Sequence, residues 1–170
     1  PTPGSSGGMQ GNFYAFAALL SDGSISAWGL ADSGGSGAPT DAGYTALYST
    51  QTAFAALKAD GAVAAWGDPD EGGSGAPTDS GYTAVFSAYR AFAALKADGA
   101  LAAWGSSAYA GSGAPTDAGY ASVFSTWYAF AALKADGALV AWGSSGNGGS
   151  GAPTAVRYFA PTPRAIASAS

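Results

Sequence analysis

Apolar residues run through this chain in short blocks, none of them long enough or periodic enough for a helix. From residue 53 the sequence reads AFAAL-KADG-AVAAW-G: two apolar runs of five positions around a polar tetrad. The same fifteen residues return at 91–105 and 129–143, and in looser form at 15–29, always 38 positions apart. Asp-Gly between two apolar runs predicts a tight hairpin, read here as a type I′ turn with positive φ at both central residues. Asp22, Asp60, Asp98 and Asp136 hold the first turn position, and Gly23, Gly61, Gly99 and Gly137 the second. Upstream, YTALYST (44–50) predicts a further strand feeding the hairpin. The segment GGSGAPT then carries the chain to its next copy, as a loop or a fourth, irregular strand.

Alternation within each run decides how such units assemble. Phe54 and Ala56 fall on one face of the strand, Ala55, Leu57 and Ala59 on the other. Both faces are apolar, so both need covering, and repeated small sheets achieve this by stacking. The expected fold is all-β: four 38-residue repeats, each a three- to four-stranded antiparallel sheet, stacked as a β-propeller, part of one, or an open array. Trp28, Trp66, Trp104 and Trp142 recur in register and are expected to lie buried between adjacent sheets. The repeats define a domain over 9–160, with a linker over 1–8 and a tail over 161–170, both outer segments carrying the extended motif PTP. A chain that starts at Pro1 reads as a processed product or an excised segment.

These repeats resemble the blades of the propeller superfamily that includes the regulator of chromosome condensation and beta-lactamase inhibitory protein II. The stretch ALKADGAVAAWGDPDEGGSGAPTDSGYTAV carries the likeness: a strand-turn-strand core ending in Trp-Gly, a glycine-containing loop, a proline and a following apolar strand. The resemblance covers about residues 9 to 160 and implies a propeller that binds a protein partner. It carries over no contact residues, and implies neither lactamase inhibition nor nucleotide exchange. Rings of that superfamily hold more than four blades. The four copies here therefore make a smaller ring, belong to a longer array, or are completed by a second chain. At the ends, Met9 begins a shortened first strand, and Tyr158, Phe159 and Ala160 begin an unpaired one.

The positions that differ between copies indicate where specificity lies. The link between the first two strands reads Phe13-Tyr14, Gln51-Thr52, Tyr89-Arg90 and Trp127-Tyr128 in successive copies. The loops after Trp-Gly differ too: LADSG, DPDEG, SSAYA and SSGNG. Following the strands up, down and up puts both variable segments at one end and the constant Asp-Gly turns at the other. Phe13, Tyr14, Tyr89, Arg90, Trp127 and Tyr128 are the candidate binding residues, because rigid aromatics and arginine dominate interaction hot spots.

Composition narrows the chemistry. Histidine and cysteine are absent, which removes most nucleophile–base pairs, most transition-metal sites and any disulfide. The net charge of −5 argues against nucleic acid or an anionic membrane as partner. Most acids sit in turns, so an enzyme built on paired carboxylates is not expected, nor a cofactor. Asp68, Asp70 and Glu71 gather in the loop GDPDEGG, but the other copies lack the cluster and the distal ligand of a calcium loop is missing, so it reads as solvated. Lys58, Lys96 and Lys134, beside the turns, read as stems laid over a neighbouring sheet with wet heads. The expectation is a non-enzymatic binding module, extracellular or at the cell surface, offering an aromatic face to a protein or a glycan. The competing expectation is a structural unit that self-associates into an extracellular fibre or surface assembly.

Overall fold

The computed structural model describes residues 8–153. Tyr158, Phe159 and Ala160, most of the N-terminal linker and the tail lie outside the described residues.

Each repeat folds as a three-stranded antiparallel meander, and among the described residues the GGSGAPT segments form no fourth strand. The first sheet contains β1 (Met9–Gly11), β2 (Ala15–Leu19) and β3 (Ile25–Gly29). The second contains β4 (Tyr44–Ser49), β5 (Ala53–Lys58) and β6 (Val63–Gly67). The third is β7 (Tyr82–Ser87), β8 (Ala91–Lys96) and β9 (Leu101–Gly105); the fourth is β10 (Tyr120–Ser125), β11 (Ala129–Lys134) and β12 (Leu139–Gly143). A short 3-10 turn follows each third strand, at Ala31–Ser33, Pro69–Glu71, Ser107–Tyr109 and Ser145–Asn147.

The hairpins differ from the predicted type I′ geometry. Gly61 N–H donates to the Lys58 carbonyl (3.0 Å) and Lys58 N–H to the Ala62 carbonyl (2.9 Å), which leaves three residues in the loop. Only the glycine is left-handed: Gly23, Gly61, Gly99 and Gly137 have φ of 78°, 81°, 82° and 91°, and no aspartate has positive φ. This is a type I turn closed by a left-handed glycine. The aspartate carboxylate instead accepts the N–H two residues on, as Asp60 does from Ala62 at 3.0 Å.

Sheets stack front to back. The front of each sheet carries a cross-strand aromatic pair, Phe54 opposite Trp66 and Phe92 opposite Trp104, with ring centroids 5.4 and 5.2 Å apart. The back of the preceding sheet is small and smooth. Ala15 and Ala17 meet Leu47, Phe54, Ala56 and Trp66 across the first junction, and Ala53, Ala55 and Leu57 meet Val85, Phe92, Ala94 and Trp104 across the second. Alanine on one side lets backbones approach while Phe and Trp fill the gap on the other, as close packing of a core requires. Each buried indole also donates to a carbonyl in the preceding repeat: Trp66 to Gly34 (3.0 Å), Trp104 to Gly72 (3.1 Å) and Trp142 to Ala110 (3.2 Å).

The first sheet breaks this equivalence. Trp66, Trp104 and Trp142 are 4% exposed, but Trp28 is 47% exposed and Phe16 is 46% exposed. Burial of all four tryptophans was the expectation from their register. Trp28 departs from it because, among the described residues, no sheet covers the front of the first repeat. First strands of neighbouring sheets meet one another, whereas third strands meet the 3-10 turn of the repeat before, so the sheets converge along their first strands and fan outward. The four sheets form an open β-propeller arc.

The lysine beside each turn is paired rather than wet. Lys96 Nζ lies 2.5 Å from Asp79 Oδ2, Lys134 Nζ 2.6 Å from Asp117 Oδ2, and Lys58 pairs with Asp41 in the same way. In each set the tyrosine that opens the strand donates its hydroxyl to the same carboxylate, as Tyr82 does to Asp79 at 2.9 Å, and the ammonium sits over its ring. The clamp ties the loop after proline to the hairpin. Burial, helped by the neighbouring carboxylate, pushes the Tyr82 and Tyr120 hydroxyls up to about 12, and that of Tyr44 further. A raised phenol contributes stability that is complete below its unfolded value near 10 and lost as pH climbs through the folded value. Urea midpoints should therefore fall between about pH 10 and 12, and the Tyr82→Phe/Tyr120→Phe variant should fall less steeply. An equal slope in that variant would remove these phenols as the cause. On the acid side, Lys-bonded Asp41, Asp79 and Asp117 titrate below their ordinary value, so their contribution persists above about pH 4 and fades below it.

Candidate functional site

Both variable segments of each repeat lie together. The link after the first strand reaches the 3-10 turn of its own sheet: Asn12 Nδ2 donates to the Ser33 carbonyl (2.7 Å), Thr50 Oγ1 to the Glu71 carbonyl (3.0 Å) and Thr126 Oγ1 to the Asn147 carbonyl (3.3 Å). The Asp-Gly turns close the opposite end of each meander. Successive links are also joined to one another. Phe13 N–H donates to the Gln51 carbonyl, Gln51 N–H to Tyr89 and Tyr89 N–H to Trp127, at 3.2, 2.9 and 3.0 Å. The link residues thus form a hydrogen-bonded ladder along the inner edge of the arc, and their side chains emerge from its end.

On this ladder the aromatic residues converge. Tyr89 is the hub: it stacks on Trp127 (5.6 Å, 11° between planes), meets Phe13 edge-on (6.2 Å, 69°) and tilts against Tyr128 (6.3 Å). Tyr14 joins through Phe13 alone, at 6.1 Å. Phe13, Tyr14 and Trp127 are each at least half exposed, an unusual state for three large aromatics in one patch. Tyr89 and Tyr128 are half-buried beneath them.

Arg90 plays a different part from the other five. Its Nε lies 3.0 Å from Glu71 Oε1 and donates to Gln51 Oε1 at 3.2 Å, while its guanidinium lies over the rings of Tyr89 and Tyr109, 5.4 and 5.1 Å from their centroids. Arg90 therefore fixes the floor of the patch and bridges the second and third repeats. Glu71, expected in a solvated loop, is buried and accepts a 2.6 Å bond from the Thr52 hydroxyl. Burial of that carboxylate is made tolerable by the cation and the hydroxyl that face it.

Four residues outside the sequence-derived set belong to the site: Gln51, Thr52, Glu71 and Tyr109. Tyr109 tilts against Tyr128 (5.1 Å) and Tyr89 (5.9 Å). Its signal was present in the sequence, as the single aromatic among the variable loops after Trp-Gly. Glu71 gave no such signal, because its partner lies 19 positions on and only the stacking of sheets brings the two together.

The site carries one cation, one carboxylate and a set of rings, with no nucleophile–base pair. Among the described residues no three acidic side chains are grouped to hold a metal ion, and no helix is long and apolar enough to cross a membrane.

No family model and no curated protein matches the sequence. Solved structures do share its fold. The ectodomain of the receptor kinase CR4 from Physcomitrella patens superposes with a TM-score of 0.64 at 20% identity, over 83% of this chain and 42% of that one. The CRINKLY WD40 ectodomain of the Arabidopsis thaliana receptor kinase ACR4 gives 0.61 at 20% identity, over 86% and 53%. Prp20p from Saccharomyces cerevisiae, described with its binding to Gsp1p and histones, gives 0.52 at 19% identity, over 76% and 41%. The chain thus spans about half the length of the propellers it resembles, and at these identities the likeness is one of fold.

Proposed function

We propose that this chain is a non-enzymatic protein-interaction module whose partner seats on the aromatic end of the arc. One observation carries the reading: Phe13, Tyr14 and Trp127 stand exposed on a floor that Tyr89, Tyr128, Tyr109 and Arg90 hold rigid. Rigid aromatics give up little conformational entropy on binding and supply large contact area, which is why they serve as anchors. The similar fold of Prp20p, described with its binding to Gsp1p and histones, favours a protein partner over a glycan. The two receptor ectodomains among the similar folds favour an extracellular setting. The absence of a nucleophile–base pair in the patch favours binding over catalysis.

Panning a random peptide library against the chain tests where binders go. Most survivors should lose about 1–4 kcal/mol of affinity against Trp127→Ala, and likewise against Tyr14→Ala, while Ala59→Ser in an Asp-Gly loop leaves them unchanged. Both aromatic positions are exposed, so the fold should survive both changes. Survivors indifferent to Trp127 and Tyr14 would sink the reading. Strong glycan-array signals that vanish in Trp127→Ala would replace the protein partner by a sugar.

A further inference from the structure

The two side faces of the arc that no described residue covers are complementary. On the first sheet no described residue covers the front: Phe16 stacks on Trp28 at 5.6 Å, the geometry of the buried pairs, with Met9 beside them, and all three are exposed. On the fourth sheet no described residue covers the back. Ala131 and Leu133 are only half-buried although their counterparts Ala93 and Leu95 are buried, and Phe124 is exposed although its counterpart Tyr48 is buried.

Internal junctions show what covers such faces. At each, the phenylalanine of one sheet fills a socket on the back of the sheet before, against the left-handed residue that ends the 3-10 turn. A Cβ added to Gly34 would lie 2.6 Å from the Phe54 ring, and one added to Gly72 would lie 2.8 Å from Phe92. The fourth sheet has the same socket unfilled: a cavity lined by Phe124, Ser125, Thr126, Ala129, Ala131 and Gly148, with open space above Gly148. The plug that matches it is Phe16, on the far side of the same chain.

We propose that a second copy of this chain completes the arc, the first sheet of each copy seating on the fourth sheet of the other, so that two identical junctions close a ring of eight sheets. Phe16 of one copy fills the socket over Gly148 of the other. Trp28 Nε1 donates to the Gly148 carbonyl, as Trp66 donates to Gly34 and Trp104 to Gly72. Trp127 N–H donates to the Phe13 carbonyl and extends the link ladder across the junction. Head-to-tail surfaces make a closed ring or an open filament according to the rotation they impose. At Phe13 and Trp127 this junction uses only the backbone, whereas the proposed binding patch uses their side chains, and either reading survives loss of the other.

Sedimentation velocity of the full chain across a concentration series is the test. A single species of twice the chain mass is expected, weakened at least tenfold by Phe16→Asp and equally by Ala131→Arg, with Ala59→Arg in the exposed turn as a neutral control. Urea midpoints of the diluted variants separate lost association from lost folding. Hydrogen exchange of the unsubstituted chain gives a reading free of any variant. With rising concentration, protection should grow around Phe16, Trp28 and Gly148, and not at the Asp-Gly turns. A monomer at every concentration overturns the proposal. So does dimerisation that Ala131→Arg leaves intact, which means front-on-front pairing, and so does an open-ended series of sizes, which means a filament.

Discussion

Trp104→Ala is expected to lower the free energy of unfolding by about 3–5 kcal/mol, the range for removing a large enclosed side chain. The indole is stacked on Phe92, packed against the alanine back of the second sheet and bonded to the Gly72 carbonyl. Its removal opens a cavity between two sheets that regular backbone holds apart, so the site has little scope to collapse. It also leaves a buried carbonyl without its donor, a cost of its own. Trp28→Ala provides the contrast within the same repeat motif. With its face open, the loss should be about 1 kcal/mol or less when measured at a dilution where the chain is monomeric. Urea denaturation of both variants checks the pair. Similar losses would mean that stacking between sheets is not what stabilises these tryptophans.

Gly99→Ala should be nearly as damaging, for a different reason. At φ of +82° an L-residue carries about 1–2 kcal/mol of backbone strain. In addition, the new Cβ would lie 2.3 Å from the Tyr120 nitrogen and 2.6 Å from the Gly119 backbone. Those atoms belong to the next repeat, where Gly119 N–H donates to the Asp98 carbonyl and Tyr120 N–H to Gly99. Relief requires parting the third and fourth sheets at their turns, an overpacking cost of about 1–3 kcal/mol more. Gly81→Ala isolates the first contribution, because Gly81 has φ of +90° with open space around it. The difference between the two urea midpoints measures the steric part. Equal losses would show that the turn yields and that the contact with the next sheet is soft.

Much of this architecture was legible in the sequence because it is local and repeated. A 38-residue period, an Asp-Gly pair between two apolar runs and small or aromatic residues on alternate faces suffice to specify stacked three-stranded sheets. The up-down-up path of each copy likewise puts the variable links and loops at one end. Left-handed glycines followed from turn chemistry, although the turn type did not. Three residues rather than two lie between the closing strand positions, and a type I turn with one left-handed glycine fits that count. The pairing of Lys58, Lys96 and Lys134 with aspartates 17 positions earlier depends on how the loop after proline folds back, which no local pattern records.

Relations between repeats were decided by the tertiary structure alone. Sequence register makes Trp28 the equal of Trp104, but register does not say whether a neighbour is present, and burial depends on the neighbour. Phe16 and Phe92 differ for the same reason. Read one at a time, the four variable links are separate; the inner-edge ladder of backbone bonds joins them, setting Tyr89 between Phe13 and Trp127, which belong to sheets that are not adjacent in sequence. Arg90 and Glu71 meet only because the second and third sheets stack. The sequence by itself determined what each sheet is and which of its ends varies. Stacking determined which equivalent residues are buried, which are exposed and which act together, because those properties belong to pairs of sheets and not to any one of them.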